Sequence, residues 1–419
     1  QPMLCSSYAY DPATFTYTFT LRTDVTFSDG SAFTAADAAA TLQRARTSDR
    51  YQARLAQVSS ISANGQTLVI TLSQANTGFP ALLDIPIVKS GTEGSLTPLG
   101  TGPYYLSTAD GSTALVANAS WWRGASLPVS RITLSAASDR DAMLYQFTSH
   151  DVQLITADLT GTTPISATGN VSFQDADTTI LQYVGFNMRR SICQDAALRQ
   201  ALGLGMNRSN VVSAFLSGHG TDTQFPVSPL CELYPEQLEQ AFSYDAYANA
   251  MAAAGYNEGK HHRLTMIVNA ENTFKVSAAE YIASSWSAFD LEIEVEALPW
   301  EEYTAALQSG NYDLYYGEVK LTADWNLTQL LGSGGSLNYG RWADPQTDQL
   351  LAAYASASDR EAAMESLCQY LAQQAPILPV CFKSTSVLIQ SGVVEGLSPT
   401  MANPFYNFSS CTVHLREPE

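Results

Sequence analysis

Between residues 264 and 320 the chain changes its periodicity four times, and this alternation constrains the fold more than any other feature. "LTMIV" is a short apolar strand, "FKVSAAEYIASSWSAF" a helix, "LEIEVEAL" an alternating strand, "WEEYTAALQSG" a second helix and "YDLYYGEV" a third strand. Strands separated by helices of this length form βαβ units and a mainly parallel sheet. On such sheets ligands bind outside the carboxyl ends of the strands. The stretch "LTADWNL" at 321–327 lies just beyond the third strand, so its acid, Asp324, is the first candidate for function.

The first hundred residues have a different texture. "TFTYTFTLR" alternates Phe15, Tyr17, Phe19 and Leu21 with threonines, the period of a half-buried strand. Asp29-Gly30 signals a turn, and "TAADAAATLQRAR" opens with Thr34 and places Asp37 three residues later, a capping box with Asp in the usual Glu position. "TLVITL" at 67–72 is a strand expected to pair back on the first. Near residue 100, "GTGPYYL" marks a sharp change of direction; "LVANASWWRG" and "SRITLSAA" give further strands, and "DRDAMLYQFTSHDVQLI" reads as a helix leading into a strand. A chain of 419 residues exceeds one ordinary core, so two or three domains are expected, joined by ordered strands because no low-complexity linker is present.

Composition argues against several classes of function. The balance of 40 acidic against 21 basic residues, net charge −19, argues against a phosphate-backbone partner, because such binding rests on Lys and Arg. No stretch approaches the roughly 18 apolar residues of a membrane span, and "QPMLCSSYAYDP" lacks the basic start and apolar middle of a secretory signal, so a processed or trimmed form is expected. Cys5, Cys193, Cys231, Cys368, Cys381 and Cys411 form no CxxC pair, which argues against structural zinc. Cys193 with Cys231, or Cys368 with Cys381, are candidate disulfides of an exported protein, and buried free thiols are the equal alternative.

Catalytic signatures are missing: no GxSxG, HExxH, GxxxxGK[ST] or GxGxxG occurs, and "GSGGS" at 332–336 is a loop. His261-His262 lacks companion metal ligands and reads as a solvated turn. Glu301 and Glu302 follow Trp300 at a helix start, where acids favour the dipole. No convergent nucleophile and base emerge; catalytic residues, metal ligands and cofactors are each expected to be none. A secreted hydrolase is the distant alternative, and a ligand sensor fused to a regulator would need a DNA-binding segment that the chain lacks.

Taken together, the motifs resemble the family 5 extracellular solute-binding proteins of ABC transporters, the oligopeptide, dipeptide and nickel type. "YTFTLRTDVTFSDGSAFTAADAAATLQRA" carries the pattern through Leu21-Arg22, Phe27, Asp29-Gly30, Thr34-Ala35 and Asp37. "GTGPYYL", "ANASWWRGASLPVSRITL", "VGFNMRRSICQDAALRQALGLGMNRSNVV", "YDAYANAMAAAGY" and "APILPVCF" follow in the family's order over almost the whole chain. The motifs are largely structural: Asp29-Gly30 is a turn in any fold, and the Ala-Gly-Tyr stretch is a helix C-cap followed by an apolar lock.

The resemblance implies an α/β, two-lobed periplasmic-binding-protein-like fold of type II, with the extra subdomain of the peptide-binding cluster and a hinge of two crossing strands near "LQYVGFN" and "PVCFKSTSV". It implies an extra subdomain over residues 1–103, a lobe I core over 104–182 and 383–419, and lobe II over 183–382. The expected protein is a monomer that encloses a peptide or similar small zwitterionic solute and delivers it to the permease subunits in the membrane. Its expected location is extracytoplasmic, as a cell-surface lipoprotein or a periplasmic protein. A chelated nickel, an opine-like molecule or an oligosaccharide is the alternative ligand. In oligopeptide-binding members a segment like Ala-Asp-Tyr-Asn-Glu-Pro supplies an Asp for the peptide's amino terminus. "TADWNL" matches it up to Asn326 and departs at Leu327-Thr328, so Asp324 carries over as the ammonium anchor and Trp325 as a pocket wall, with Tyr183 and Asn187 offering groups to a ligand backbone. Members also carry further residues ahead of the segment that "QPMLCSSYAYDP" resembles, so no first-lobe ligand contacts are named from that region.

Overall fold

The structure, a computed structural model, describes residues 3–124, 126–165 and 169–415. The chain divides into two compact units, the first formed by Gln1–Ile155, Ala167–Gln174 and Val387–Glu419, the second by Thr156–Ser166 and Asp175–Ser386.

In the first unit, β1 (Cys5–Asp11), β2 (Thr16–Leu21), β3 (Val58–Asn64) and β4 (Thr67–Leu72) make an antiparallel sheet in the order β1-β2-β4-β3. The alternation of β2 buries Tyr17, Phe19 and Leu21 against Phe27, Phe33, Ile70 and Phe79, while the intervening threonines face out. Helix α1 (Ala35–Ala45) packs against β3 and β4 and begins with the expected box. Asp37 Oδ2 accepts from both the Thr34 amide at 3.0 Å and the Thr34 hydroxyl at 2.6 Å, so the shorter acid serves in the Glu position. A smaller sheet of β5 (Tyr104–Ser107), β6 (Ala114–Ala117) and β7 (Arg131–Thr133) follows, then α2 (Arg140–Thr148) and β8 (Leu154–Ala157). Tyr104, Ile132 and Leu154 pack with Val387, Ile389, Phe408 and Cys411 in a second, smaller core.

Two long strands carry the chain from one unit to the other. β9 (Val171–Phe186) enters the second unit after Gln174, and β14 (Ile377–Gln390) leaves it after Ser386. Between them come α3 (Ala196–Leu204), α4 (Arg208–Phe215), β10 (Gly220–Asp222), α5 (Tyr244–Ala253), β11 (His262–Asn269), α6 (Thr273–Trp286), β12 (Leu291–Leu298), α7 (Trp300–Ser309), β13 (Leu314–Lys320), α8 (Thr328–Leu331), α9 (Pro345–Ser356) and α10 (Arg360–Gln374). A final pair, β15 (Val394–Glu395) and β16 (Thr412–Val413), completes the chain's strands among the described residues.

The sheet order is β10-β14-β9-β13-β11-β12, with β8 pairing off that path to β14. β11 is parallel to both β12 and β13, as the alternation of residues 264–320 predicts, and β9 runs antiparallel to β13. Side chains of successive residues leave a strand on opposite faces, and both faces here are buried. Val184, Met266, Leu314, Tyr316 and Cys381 belong to one core with α3, α5 and α6; Tyr183, Ile267, Tyr315 and Phe382 belong to the other with α7 through α10. That is why Leu314, Tyr315 and Tyr316, successive residues of β13, are all apolar or aromatic and all buried.

Two glycines make the β9–β13 pair possible. In register, Tyr315 faces Gly185 and Tyr183 faces Gly317, and each ring lies over the opposing glycine. A Cβ on Gly185 would meet the Tyr315 ring at 2.2 Å, and one on Gly317 would meet the Tyr183 ring at 2.8 Å. All six cysteines are free thiols, and the candidate disulfides do not form; burial pushes the Cys193 thiol up to about 12.

Candidate functional site

The third parallel strand stays paired as it ends. Leu321 donates its amide to Thr179 O at 2.8 Å, and Thr179 Oγ1 donates to Leu321 O at 2.6 Å, which fixes where the following turn begins. The turn closes with the Trp325 amide on Thr322 O at 2.9 Å, and Trp325 adopts a positive φ of 54°. For a bulky residue that conformation costs on the order of 1–3 kcal/mol and persists only where its surroundings enforce it. The enforcing contact is an edge-to-face pair of Trp325 with Phe382, centroids 5.5 Å apart.

Asp324, within this turn, is 2% exposed. Thr322 Oγ1 donates to its Oδ1 at 2.5 Å, and the Asn326 amide approaches the same oxygen at 3.4 Å. Its carbonyl accepts from Tyr354 OH at 2.8 Å and from Arg360 Nη2 at 2.6 Å, so both the backbone and the carboxylate of Asp324 are held in one orientation.

The same end of the sheet carries a second polar group that sequence reasoning did not find. Glu318 on β13 accepts from Gln182 Nε2 on β9 at 3.0 Å, and Gln182 in turn accepts from Tyr316 OH at 2.8 Å. Lys275, in the first turn of α6, meets Glu318 at 3.2 Å. Lys383 on β14 lies 4.0 Å from Glu318 and 2.5 Å from Asp158. Asp158 also accepts from the Thr160 amide at 3.1 Å, and the carbonyl of Thr160 accepts from Asn272 Nδ2 at 3.0 Å. Asn272 is the N-cap of α6 through its Oδ1, so one side chain ties the Asp158 loop to the helix that carries Lys275. Tyr316 and Cys381, neighbours of Gln182, belong to the α6-side core, whereas Trp325 belongs to the opposite one. The Asp324 turn and the lysine–carboxylate group therefore flank the carboxyl end of the sheet on opposite faces.

The other expected residues lie elsewhere. Tyr183 is mid-strand, beside Gly317, with its hydroxyl 3.5 Å from that of Tyr315; burial pushes it up to about 12. Asn187 follows Phe186, which pairs with Leu314 at the start of β13, so it sits at the far end of the strand, about 23 Å from the level of Lys320 at ~3.3 Å per residue. Its carboxamide is committed to backbone: Nδ2 donates to Tyr312 O at 2.8 Å and Gly310 O at 2.9 Å, and Oδ1 accepts from the Arg189 amide at 3.1 Å. Its hydrogen bonds describe a strut for the α7–β13 turn.

A third cluster brings Ser, His and Asp together without the geometry of nucleophilic catalysis. Ser386 Oγ donates to Asp175 Oδ1 at 2.6 Å, and His219 Nδ1 faces the same carboxylate at 3.0 Å. In a catalytic triad the imidazole accepts the serine proton; here the hydroxyl proton is directed at the carboxylate, and Ser386 is fully buried. Among the described residues no group of three His, Cys, Asp or Glu is placed to hold a metal, and no helix is long and apolar enough to cross a membrane.

Known proteins share this architecture. The sequence profile of the bacterial extracellular solute-binding proteins, family 5, middle region, matches residues 1–337. A dipeptide-binding protein of Pseudomonas aeruginosa is 24% identical over 334 residues, covering 75% of this chain and 62% of its own length. A glutathione-binding protein of Salmonella choleraesuis is 24% identical over 387 residues, covering 85% of this chain and 75% of its own length. The chain thus spans less than two thirds of the dipeptide-binding relative. Among solved structures, a nickel ABC transporter protein from Bacillus halodurans superposes with a TM-score of 0.82 at 20% identity, over 96% of this chain and 89% of that one.

Proposed function

The chain belongs to the bacterial extracellular solute-binding proteins of family 5, and from that membership we propose that it is the extracytoplasmic, non-enzymatic capture component of an ABC importer. Its ligand is a peptide or a similar small zwitterionic solute, handed to permease subunits in the membrane. The observation that carries this reading is the gathering of opposite charges at the carboxyl end of the parallel strands: Asp324 in its fixed turn on one face, and Lys275, Lys383, Glu318 and Asp158 on the other. A zwitterion needs an acid for its ammonium and a cation for its carboxylate, both preorganised, since charge-assisted hydrogen bonds are the strong ones.

In this reading Asp324 anchors the ammonium and Trp325 supplies an apolar wall. Tyr183 and Asn187, expected beside the ligand, act as positioning residues that fix the β9–β13 pair. β9 and β14, the two long strands that run from one unit into the other, serve as the hinge. The protein works as a monomer, periplasmic or lipid-anchored at the cell surface, without a nucleic-acid partner or a cofactor.

Calorimetry with a panel of di- and tripeptides, and with nickel–histidine as a competing class, tests the proposal. Peptide binding by the parent protein, weakened about tenfold or more in Asp324→Asn by loss of a charged partner, is the expected result. Unchanged peptide affinity in that variant removes Asp324 from the anchor role. Binding of the nickel complex with no peptide binding overturns the peptide reading.

A further inference from the structure

Lys383 is an unusual place for a charge. It sits inside "ILPVCFKSTSVLIQ", a strand buried almost throughout, and its side chain is 3% exposed. A buried ammonium is costly unless it is paired and hydrogen-bonded. Yet the carboxylate fixed beside it, Glu318, stands 4.0 Å away and is already taken by Lys275 at 3.2 Å and Gln182 at 3.0 Å. The short partner of Lys383 is Asp158, at 2.5 Å, and that side chain is 40% exposed on a loop. The buried, rigid member of the pair is thus the cation, and the accessible member is the acid.

Three positive features meet at this point: Lys383, Lys275, and the amino end of α6, a helix of 14 residues whose dipole favours a nearby anion. Against them stands one fixed acid, Glu318, on the sheet, and one acid, Asp158, on a loop segment.

Resting on the reading of peptide capture above, we propose that Lys383, backed by Lys275, is the carboxylate-recognition point of this site. In the form described here the site is self-occupied: Asp158 stands where the ligand's carboxylate binds, and the ligand displaces it. The preferred solutes are therefore those with a free carboxylate, such as an unblocked peptide C-terminus. Asp158 is both the counter-ion of the empty protein and the ligand's competitor. This gives its removal two effects of opposite sign: the empty protein loses the partner of a buried cation, while a carboxylate ligand loses its rival.

Peptides identical except for a free or amidated C-terminus, titrated calorimetrically into the parent protein, Asp158→Asn and Lys383→Met, test this. In the parent protein the free acid binds about tenfold or more tighter than the amide, the size expected of a charge-assisted pair in a shielded site. Asp158→Asn lowers the melting temperature of the empty protein and tightens free-acid binding severalfold, widening the ratio of free-acid to amide affinity. Lys383→Met abolishes the difference between acid and amide. Equal affinities for acid and amide in the parent protein overturn the proposal while peptide capture stands, and this comparison needs no variant to fold. Weaker free-acid binding in Asp158→Asn, or none of the expected tightening, overturns the displacement and leaves Asp158 a structural counter-ion. Failure of every peptide to bind overturns the proposal together with the reading on which it rests.

Discussion

Replacing Asn272 with alanine removes two buried interactions at once, and their separate sizes can be worked out. Asn272 is 2% exposed; its Oδ1 accepts the Lys275 amide at 3.0 Å and its Nδ2 donates to Thr160 O at 3.0 Å. Loss of an N-cap costs typically ~1 kcal/mol. Thr160 is 0% exposed, so its carbonyl, stripped of this donor, bears a desolvation penalty of about 1–3 kcal/mol. Asn272→Ala should therefore destabilise the second unit by about 2–4 kcal/mol. Asn272→Ser retains a capping oxygen but cannot reach Thr160, so it should lose only the second part, about 1–3 kcal/mol. Urea unfolding by circular dichroism gives the total, and hydrogen exchange of the α6 peptide gives the local effect, which matters because a chain of two units need not unfold in one step. A cost below about 0.5 kcal/mol for Asn272→Ala would refute the reasoning, since neither the cap nor the Thr160 bond would then contribute.

Gly185→Ala places a methyl where the Tyr315 ring lies, 2.2 Å away, and should destabilise by about 1–3 kcal/mol or more, read as a lower urea midpoint. Arg199 donates to the carbonyls of Gln374, Ala375 and Cys193 with a guanidinium set over the Trp342 ring, holding the C-terminal end of α10. Arg199→Lys loses the planar fork and should cost about 1–3 kcal/mol in the same assay. At Asp290, burial acts to raise the carboxyl but is outweighed by the amides of Gly259 and Glu258, and the folded value lies below the ordinary 3.8. A lowered folded value means stability that is present above the unfolded pKa and lost as pH falls through the folded one. The gap in urea midpoint between the parent protein and Asp290→Asn should be full at pH ~6 and shrink below pH ~4; a gap that is constant with pH contradicts the assignment.

The βαβ alternation was legible because it is local: each segment of residues 264–320 declares its own period, and a parallel sheet is the arrangement such segments can share. The same holds for the Thr34–Asp37 box and for Tyr17, Phe19 and Leu21 on one face of β2. That Asp324 lies beyond the carboxyl end of β13 was legible from the same alternation, and topology makes such an end a candidate place for a ligand. What stayed hidden depends on pairings far apart in sequence. Lys383 and Asp158 are 225 residues apart, and Gln182 and Glu318 are 136 apart. One local signal was available, a lone lysine within the apolar run of β14, since a charge in a buried strand requires a partner. The disulfide candidates failed for the opposite reason: spacing in sequence says nothing of Cα separation, and bridge geometry is demanding.

Strand direction explains why the polar groups collect at one end while Asn187 does not join them. Because β9 runs antiparallel to β13, Thr178 and Thr179, just ahead of the paired stretch Ile180–Phe186, stand beside the end of β13, and the last residues of β9 stand beside its start. Thr178 Oγ1 donates to Lys383 O at 2.5 Å, which brings β14 to that same end. Tyr183 and Asn187, both expected to offer groups to a ligand backbone, are thereby spread along a strand, and it is their neighbour Gln182 that reaches the charged group. A motif that identifies a strand fixes the fold through its run of residues, but the function of each residue depends on its distance from the strand's end. In β9 that distance makes Gln182 a link between Tyr316 and Glu318, Tyr183 a lid over Gly317, and Asn187 a clamp on the turn before β13.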